Sequence, residues 1–511
     1  MSRNDNAALW FVDRHPEEGR SDKVAFREAD GKKRALTYGA LATVSAHFAG
    51  ALGRSGVKRE QRMAMLVRDQ IEFPIAFWGA LKAGVIPIPL NTLLSTSVYQ
   101  GILADSRATV LIVSEALWPV VQPALDDCPS VETIIVIADT APEGTVSYRD
   151  FMDGAPAQEP VVASADETAF WLYSSGSTGI PKGVRHVHSS LRATARAFGA
   201  GILSMSERDV VYSVAKLFFA YGLGNGITFP MSVGATAILL AGRPTPDTAF
   251  DIIENMQPTM FCGVPTLFAA MNAAAEAMDR DISSNLRLCT SAGEALPREV
   301  GEAWEARIGA QIIDGVGSTE MLHIFLSNRP GDIVYGTSGK AVPGYDVRLV
   351  DENDQDVADG EVGELLVCGP SAAEAYWNRR ETTQATFQGH WTRTGDKYER
   401  TSDGRYVYCG RTDDMFKVSG IWVSPFEIEQ TLVEHPAVLE AAVVAHADNK
   451  GLDKPKAFVV LKDGQKTDAI RDLKDFVKEK IGMWKYPRWV DVVDDLPKTA
   501  TGKIQRFKLR A

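Results

Sequence analysis

Through the first ~400 residues, short β-branched apolar runs alternate with longer amphipathic stretches, the pattern of parallel sheets covered by helices. RMAMLV (62–67), TVLIVS (109–114), ETIIVIA (132–138), ATAILLA (235–241) and AQIIDGV (310–316) predict buried strands. IEFPIAFWGALKAG (71–84) and DTAFDIIENM (247–256) carry helical periodicity between them. From Val342 the texture changes: VPGYDVRLVDENDQDVADGEVGELLVCGP alternates as strands do and is broken by Asp, Gly and Asn turns, which predicts a small antiparallel β-unit. Beyond GRTDDMF (410–416), a polar, turn-forming junction, KVSGIWVS, LEAAVVAHAD and KAFVVLK predict strands, while PFEIEQTLVEHP and TDAIRDLKDFVKEKIG predict helices. These form a separate small unit. Repeats and low-complexity tracts are missing from the sequence.

Composition narrows the class. The chain has 511 residues, 45% hydrophobic and 23% charged, which excludes extended disorder, collagen and coiled coil and predicts three or four structural units. A net charge of −12, from 54 Lys+Arg against 66 Asp+Glu, argues against a nucleic-acid or anionic-membrane partner. Cys128, Cys262, Cys289, Cys368 and Cys409 are irregularly spaced with no CxxC pair, so buried reduced thiols are expected rather than a disulfide framework or zinc knuckle. The start, MSRNDNAALWFVDRHPEEGR, lacks the apolar core of a signal peptide. GITFPMSVGATAILLAG, from Gly226, is interrupted by Pro230 and falls short of the ~20 apolar residues of a membrane span. The expectation is a soluble cytoplasmic protein.

Four motifs carry chemistry. Tyr173-Ser-Ser-Gly-Ser-Thr-Gly-Ile-Pro-Lys-Gly-Val184 follows the apolar run AFWLY. Gly176, Gly179 and Gly183 let backbone N–H groups face outward, Ser174, Ser175, Ser177 and Thr178 add hydroxyls, and Lys182 adds charge. That set suits a polyphosphate, whose oxygens need several donors at once. Lys182 sits between Pro181 and Gly183, so the loop is not a Walker A motif. A mobile Gly/Ser surface loop is the plainer reading. Asp314-Gly-Val-Gly-Ser-Thr-Glu320 follows a predicted strand and could hold Mg²⁺ on phosphate, or equally begin a helix capped by Ser318 or Thr319. Thr394-Gly-Asp396 with Gly410-Arg-Thr-Asp-Asp414 is the third motif, and Pro497-Lys-Thr-Ala-Thr-Gly-Lys503 the fourth. A lysine in such a turn is, taken alone, usually just solvated.

In order and spacing the four resemble the adenylate-forming superfamily of acyl-CoA synthetases, non-ribosomal adenylation domains and luciferases. The resemblance runs from LTYGAL (36–41) to TGKIQRFKLR (501–510). KLFFAYGLGNG (216–226), DGVGSTEMLHIFLSN (314–328) and DDMFKVSGIWVSPFEIE (413–429) are similar to the benzoate and hydroxybenzoate CoA ligase branch. The resemblance implies an α/β fold: a large N-terminal domain (1–411) of two α/β subdomains with parallel-rich sheets plus a small β-unit, and a small mobile C-terminal α+β domain (412–511). It also implies ATP, Mg²⁺ and coenzyme A as cofactors or co-substrates.

By match to the family motifs, the resemblance implies that Ser174, Ser175, Gly176, Ser177, Thr178, Gly179 and Lys182 embrace the β- and γ-phosphates. Thr319 would bond the α-phosphate and Glu320 would ligate Mg²⁺. Asp314 and Gly315 fall in the nucleotide site, Asp396 would accept the ribose hydroxyls with Arg411 nearby, and Gly293, Glu294 and Ala295 would wall the adenine. Many relatives stack an aromatic on adenine where this chain has Val316. Lys503 would bridge the carboxylate and α-phosphate oxygens during adenylation. Rotation about Asp413 would then withdraw it and open a thiol path beside Gly420. Acetylation of Lys503 by a lysine acetyltransferase would erase its charge. Relatives are often monomers or homodimers.

The acid is expected to be aromatic. Amino-acid-activating relatives place an Asp in the segment matching KLFFAYGLG, and no carboxylate occurs between Lys216 and Gly226 here. An ammonium buried without a partner is costly, so an amino acid is disfavoured. Phe218, Phe219, Ala220 and Tyr221 point to a flat apolar slot with one polar tip, although Phe218 reads as core. Ala220, Tyr221, Ala292, Gly317, His323 and Ile324 are the candidate pocket residues; His323 could instead be a satisfied core histidine. Two other readings compete with a ligase. One is an enzyme loading a separate carrier protein, there being no room for a fused carrier in the eight residues after Lys503. The other is an ATP-binding regulator on a decayed ligase scaffold.

Overall fold

A computed structural model describes residues 4–175, 181–278, 282–412, 414–418, 421–449, 452–462, 464–465, 470, 472–482, 485–498 and 504–510. Packing divides the chain into two compact units rather than the three or four that length predicts: 1–346 with 367–392, and 347–366 with 393–511. The predicted N-terminal subdomains share one packed body, which accounts for the smaller number. Nor does this division fall at 411/412, since 347–366 and 393–411 cluster with the C-terminal residues.

The α/β expectation holds. In the larger unit, Val24–Glu28, Thr236–Leu239, Val210–Ser213, Met260–Gly263, Leu288–Ser291 and Ile312–Gly317 lie side by side as parallel strands. Ala35–Thr37 pairs antiparallel on one edge; Ile324–Ser327 and then Lys340–Ala341 do so on the other. A second, all-parallel sheet runs Ile86–Pro89, Arg62–Leu66, Val110–Ser114, Thr133–Ile137, Val146–Ser147. Strands buried on both faces are continuous in apolar residues, which is why these segments were legible as blocks rather than alternations. Helices Glu72–Ala83 and Pro246–Met256 fall where their periodicity predicts; the first ends on Gly84 at φ 72°, a left-handed cap that glycine adopts without strain. A third, antiparallel sheet comprises Thr168–Ser175, Pro181–Val187 and Ala375–Tyr376.

The apolar stretch from Gly226 is cut into Phe229–Val233 and the strand Thr236–Leu239. No helix among the described residues is long and apolar enough to cross a membrane. Cys128, Cys262 and Cys289 are buried and free, as expected; Cys368 and Cys409 are free but only half-buried.

In the smaller unit, Asp346–Val350, Val362–Cys368, Trp391–Arg400 and Tyr406–Arg411 neighbour one another in that order. Phe416–Val418 and Ile421–Val423 form an antiparallel pair. Val438–Ala447 pairs antiparallel with Asp453–Leu461, which pairs parallel with Trp489–Val492. Helices Pro425–Val433 and Leu473–Ile481 bury Ile428, Leu432, Leu473 and Val477 in a core with Val443 and Val459.

Candidate active site

The described residues of the Tyr173–Val184 motif lie on two paired strands. Thr168–Ser175 and Pro181–Val187 pair antiparallel with Ser174 opposite Lys182. Gly176, Ser177, Thr178 and Gly179 lie outside the described residues, as do Asp413, Gly420 and Lys503. Side chains at i and i+2 share a strand face, so Lys182, Val184 and His186 point the same way. The Lys182 ammonium lies 4.5 Å over the ring of Tyr376, and the Tyr376 hydroxyl donates to Glu320 Oε1 at 2.7 Å. His186, fully buried, bonds the Thr319 carbonyl through Nε2 at 2.8 Å. A carbonyl only accepts, so Nε2 carries the proton. Burial lowers the pKa of this imidazole to about 4 and keeps it neutral. The three-stranded sheet thus holds the Thr319–Glu320 turn at two points, through His186 and through Tyr376 of the strand Ala375–Tyr376.

That turn is not the helix start that Gly-Ser-Thr-Glu allowed. Ser318 Oγ accepts from Met321 N at 3.1 Å, but Leu322 adopts φ 64° and the chain reverses into the strand Ile324–Ser327. Gly317 is required there: a Cβ would stand 2.5 Å from the His323 carbonyl oxygen, a backbone atom. Gly315 is similarly confined, 2.8 Å from Leu326 O. Asp314 belongs to the strand itself, Ile312–Gly317, rather than following it; its carboxyl is buried, and burial pushes its pKa well above the carboxylate range. Gly293 has φ 100° and open space where a Cβ would project. With exposed Glu294 and half-buried Ala295 it follows the strand Leu288–Ser291.

The same turn delivers His323 into an aromatic box, while Ile324 opens the next strand with its side chain against Gly315. His323 is buried, with ring centroids 4.5 Å from Phe229, 5.2 Å from Phe198 and 5.6 Å from Tyr221. Gly224 backs it: a Cβ there would come within 2.4 Å of His323 Cδ2. Among the described residues neither imidazole nitrogen of His323 has a partner within hydrogen-bond geometry. Desolvation lowers its pKa to about 3. Tyr221 Oη shares a 2.6 Å hydrogen bond with Thr290 Oγ1. Ala220 opens the short helix Ala220–Leu223, Ala292 is buried, and Phe218 is core as read.

Asp396 and Arg411 are cross-strand partners in the smaller unit, 3.0 Å apart between Oδ1 and Nη1. Gly395, at φ 71°, leaves room for the Arg411 guanidinium, which a Cβ would approach to 2.7 Å. On the described flanks of the segment that holds Lys503, Lys498 is bridged to Ile504 and Gln505 N donates to Pro497 O at 2.7 Å.

Sequence reasoning missed His186, Tyr376, Phe198, Phe229 and Thr290, which lie outside the motifs. The i, i+2, i+4 spacing of Lys182, Val184 and His186 was a usable signal; the approach of Tyr376 was not. Asp69 was also missed. This buried carboxylate reaches the 216–226 segment from elsewhere in the chain, but it accepts from Leu217 N at 3.2 Å and lies 3.8 Å from Lys216 Nζ. It is therefore engaged rather than free to take a substrate ammonium.

Glu320 fits a magnesium–nucleotide complex, since phosphate oxygens supply most ligands of such a cation and one or two carboxylates complete the set. Its Oε1 is oriented by Tyr376, and no group of three or more acidic, His or Cys side chains among the described residues forms a self-sufficient cage.

Comparison with known proteins shows the family. The profile of AMP-binding enzymes matches residues 12–377, and that of the AMP-binding enzyme C-terminal domain matches 427–503. The chain is 52% identical, over 99% of its length and 94% of the relative's, to a 4-hydroxybenzoate–CoA/benzoate–CoA ligase of Rhodopseudomonas palustris. It is 51% identical to a benzoate–CoA ligase of Thauera aromatica, covering 99% and 96% of the two chains. A crystal structure of a benzoate CoA ligase from Burkholderia xenovorans LB400 superposes with a TM-score of 0.90 at 49% identity, over 100% of both chains. The anthranilate CoA ligase AuaEII, solved with anthranoyl-AMP, gives 0.92 at 40% identity over 99% and 96%. The chain belongs to the AMP-binding enzyme family, of the adenylate-forming kind its motifs resemble.

Proposed function

We propose that this protein is an ATP-dependent, AMP-forming ligase that joins an aromatic acid, benzoate or a hydroxybenzoate, to coenzyme A. The acid's carboxylate attacks the α-phosphorus of ATP and pyrophosphate leaves. The CoA thiolate then attacks the acyl carbon and AMP leaves. One observation carries the reading: the single turn 318–323 has Thr319 and Glu320 at its start and His323 at its end. Phosphate chemistry and the aromatic box are thereby set a few residues apart, as attack of an aryl carboxylate on a phosphate requires. A carrier-loading enzyme is not favoured, since the relatives at about 50% identity are named as CoA ligases.

In this reading Lys182 and the loop Ser174–Gly179 receive the β- and γ-phosphates, Thr319 the α-phosphate, and Glu320 the Mg²⁺. Bound Mg²⁺ supplies positive charge to the phosphate oxygens. Asp396 and Arg411 serve the ribose, Asp314 and Gly315 belong to the nucleotide site, the Gly293–Ala295 wall serves the adenine, and Gly420 lines the thiol path. The junction at 411/412 is the proposed functional boundary, with Asp413 as hinge. Ala220, Tyr221, Ala292, Gly317, His323 and Ile324 shape the aryl pocket; its aromatic walls and the absence of a carboxylate within 216–226 support an uncharged ring. Lys503 is the cation for adenylation and a target for a lysine acetyltransferase. The protein acts in the cytoplasm as a monomer or homodimer.

AMP release across benzoate, hydroxybenzoates, aminobenzoates, cyclohexanecarboxylate and short fatty acids tests the class. Benzoate or a hydroxybenzoate should give the highest rate, and preference for a fatty acid would refute the aryl pocket. In Lys503→Gln, benzoate-dependent exchange of pyrophosphate into ATP should fall at least ~100-fold, the scale of removing one fixed donor to developing charge. Conversion of preformed benzoyl-adenylate and CoA should persist. Full exchange in that variant refutes the lysine's role.

A further inference from the structure

We infer that Tyr376 is a positioning residue for the phosphate end of the site: its hydroxyl orients the Glu320 carboxylate for a divalent cation while its ring keeps the Lys182 ammonium apart from that carboxylate. The inference rests on the proposed roles of Glu320 and Lys182 and adds a residue that lies in none of the motifs.

Tyr376 is buried, at 5% exposure, in the two-residue strand Ala375–Tyr376. That strand pairs antiparallel with Pro181–Val187, Tyr376 opposite Val184. Lys182 is two residues from Val184 on the same face, hence the diagonal neighbour of Tyr376, within reach of an aromatic ring. Its ammonium accordingly lies 4.5 Å over the ring, a cation–π distance. At the other end of the side chain the hydroxyl donates to Glu320 Oε1 at 2.7 Å. A carboxylate accepts at several lone-pair sites, so this bond fixes its orientation without exhausting it.

One tyrosine therefore contacts two groups of opposite charge in different ways, and no ion pair joins Lys182 to Glu320 among the described residues. Direct pairing of the two would neutralise both before a metal–polyphosphate arrived. The tyrosine is itself held. Its ring packs against Phe387 at 5.4 Å, beside Val184 and Ala373, and its N–H donates to Thr383 Oγ1 at 3.1 Å. Ala373 N donates to the Glu320 carbonyl at 2.7 Å, so residues 373–376 grip Glu320 through main chain and side chain together.

The test is calorimetric titration of ATP, with no acid substrate present, in excess Mg²⁺ and in chelator. Tyr376→Phe keeps the ring and should lose about 10-fold of the Mg²⁺-dependent gain in ATP affinity, the lower end of what hydrogen-bond partners that orient metal ligands contribute. Its metal-free ATP affinity should match wild type. Tyr376→Leu, lacking both contacts, should weaken ATP under both conditions. Thioester formation from preformed benzoyl-adenylate should stay within about 2-fold of wild type in Tyr376→Phe, because that half-reaction does not use the β- and γ-phosphates. An undiminished Mg²⁺ gain in Tyr376→Phe, or an equal loss with and without metal, overturns the role of Tyr376 alone. Wild-type affinity indifferent to Mg²⁺ overturns the Glu320 assignment and Tyr376 with it.

Discussion

At Gly317 a single hydrogen stands where any other residue would place carbon 2.5 Å from the His323 carbonyl oxygen. Neither partner is the far end of a flexible chain, so the turn itself must shift. Gly317→Ala should cost about 1–3 kcal/mol of stability, the usual scale of overpacking, measured by urea unfolding. Adenylation should suffer more than stability does, because Thr319, Glu320, His323 and Ile324 all hang from that turn. Retained pyrophosphate exchange in Gly317→Ala would show that the turn tolerates the displacement. Individual residues were legible where a motif requires several types together, as at Lys182 or Glu320. They were illegible where the role is made by approach in space. His186, Tyr376 and Asp69 reach the site from other strands and loops, and nothing near them in sequence announces that.

At the scale of elements, strands and helices of the larger unit were readable because burial on both sheet faces gives unbroken apolar blocks. The Ser318–Glu320 segment was ambiguous because Ser and Thr cap turns as readily as helices. The positive φ at Leu322, which settles the matter, has no sequence signature of its own. In the smaller unit, Arg506 joins elements far apart in sequence. Its guanidinium makes a bidentate pair with Glu429, at 2.9 and 2.6 Å, and reaches Asp414 at 3.2 Å. Glu429 is 4% exposed and also accepts from Val443 N at 2.7 Å. Removing one partner strands a buried charge. Arg506→Met should destabilise this unit by about 3–5 kcal/mol, whereas Arg506→Met with Glu429→Gln should cost less than the two singles summed. A double-mutant cycle of urea unfolding measures the coupling, and additivity would show the pair to be independent.

For the whole molecule, composition set the class and the order of motifs set the family, while the partition into units was less accessible. Residues 347–366 and 393–411 precede the GRTDDMF junction yet pack with the C-terminal unit. A junction visible in sequence marks where the chain is polar and turning, not which side each strand joins. The chemistry belongs to this scale too, because motifs spread from Ser174 to Lys503 are assigned to one reaction. Its most direct test uses benzoate labelled with ¹⁸O in the carboxylate, turned over with ATP and CoA, with the nucleotide product weighed by mass spectrometry. Attack of the carboxylate on the α-phosphorus leaves one labelled oxygen in each AMP formed. AMP without label, or ADP accompanied by labelled inorganic phosphate, would contradict an acyl-adenylate intermediate.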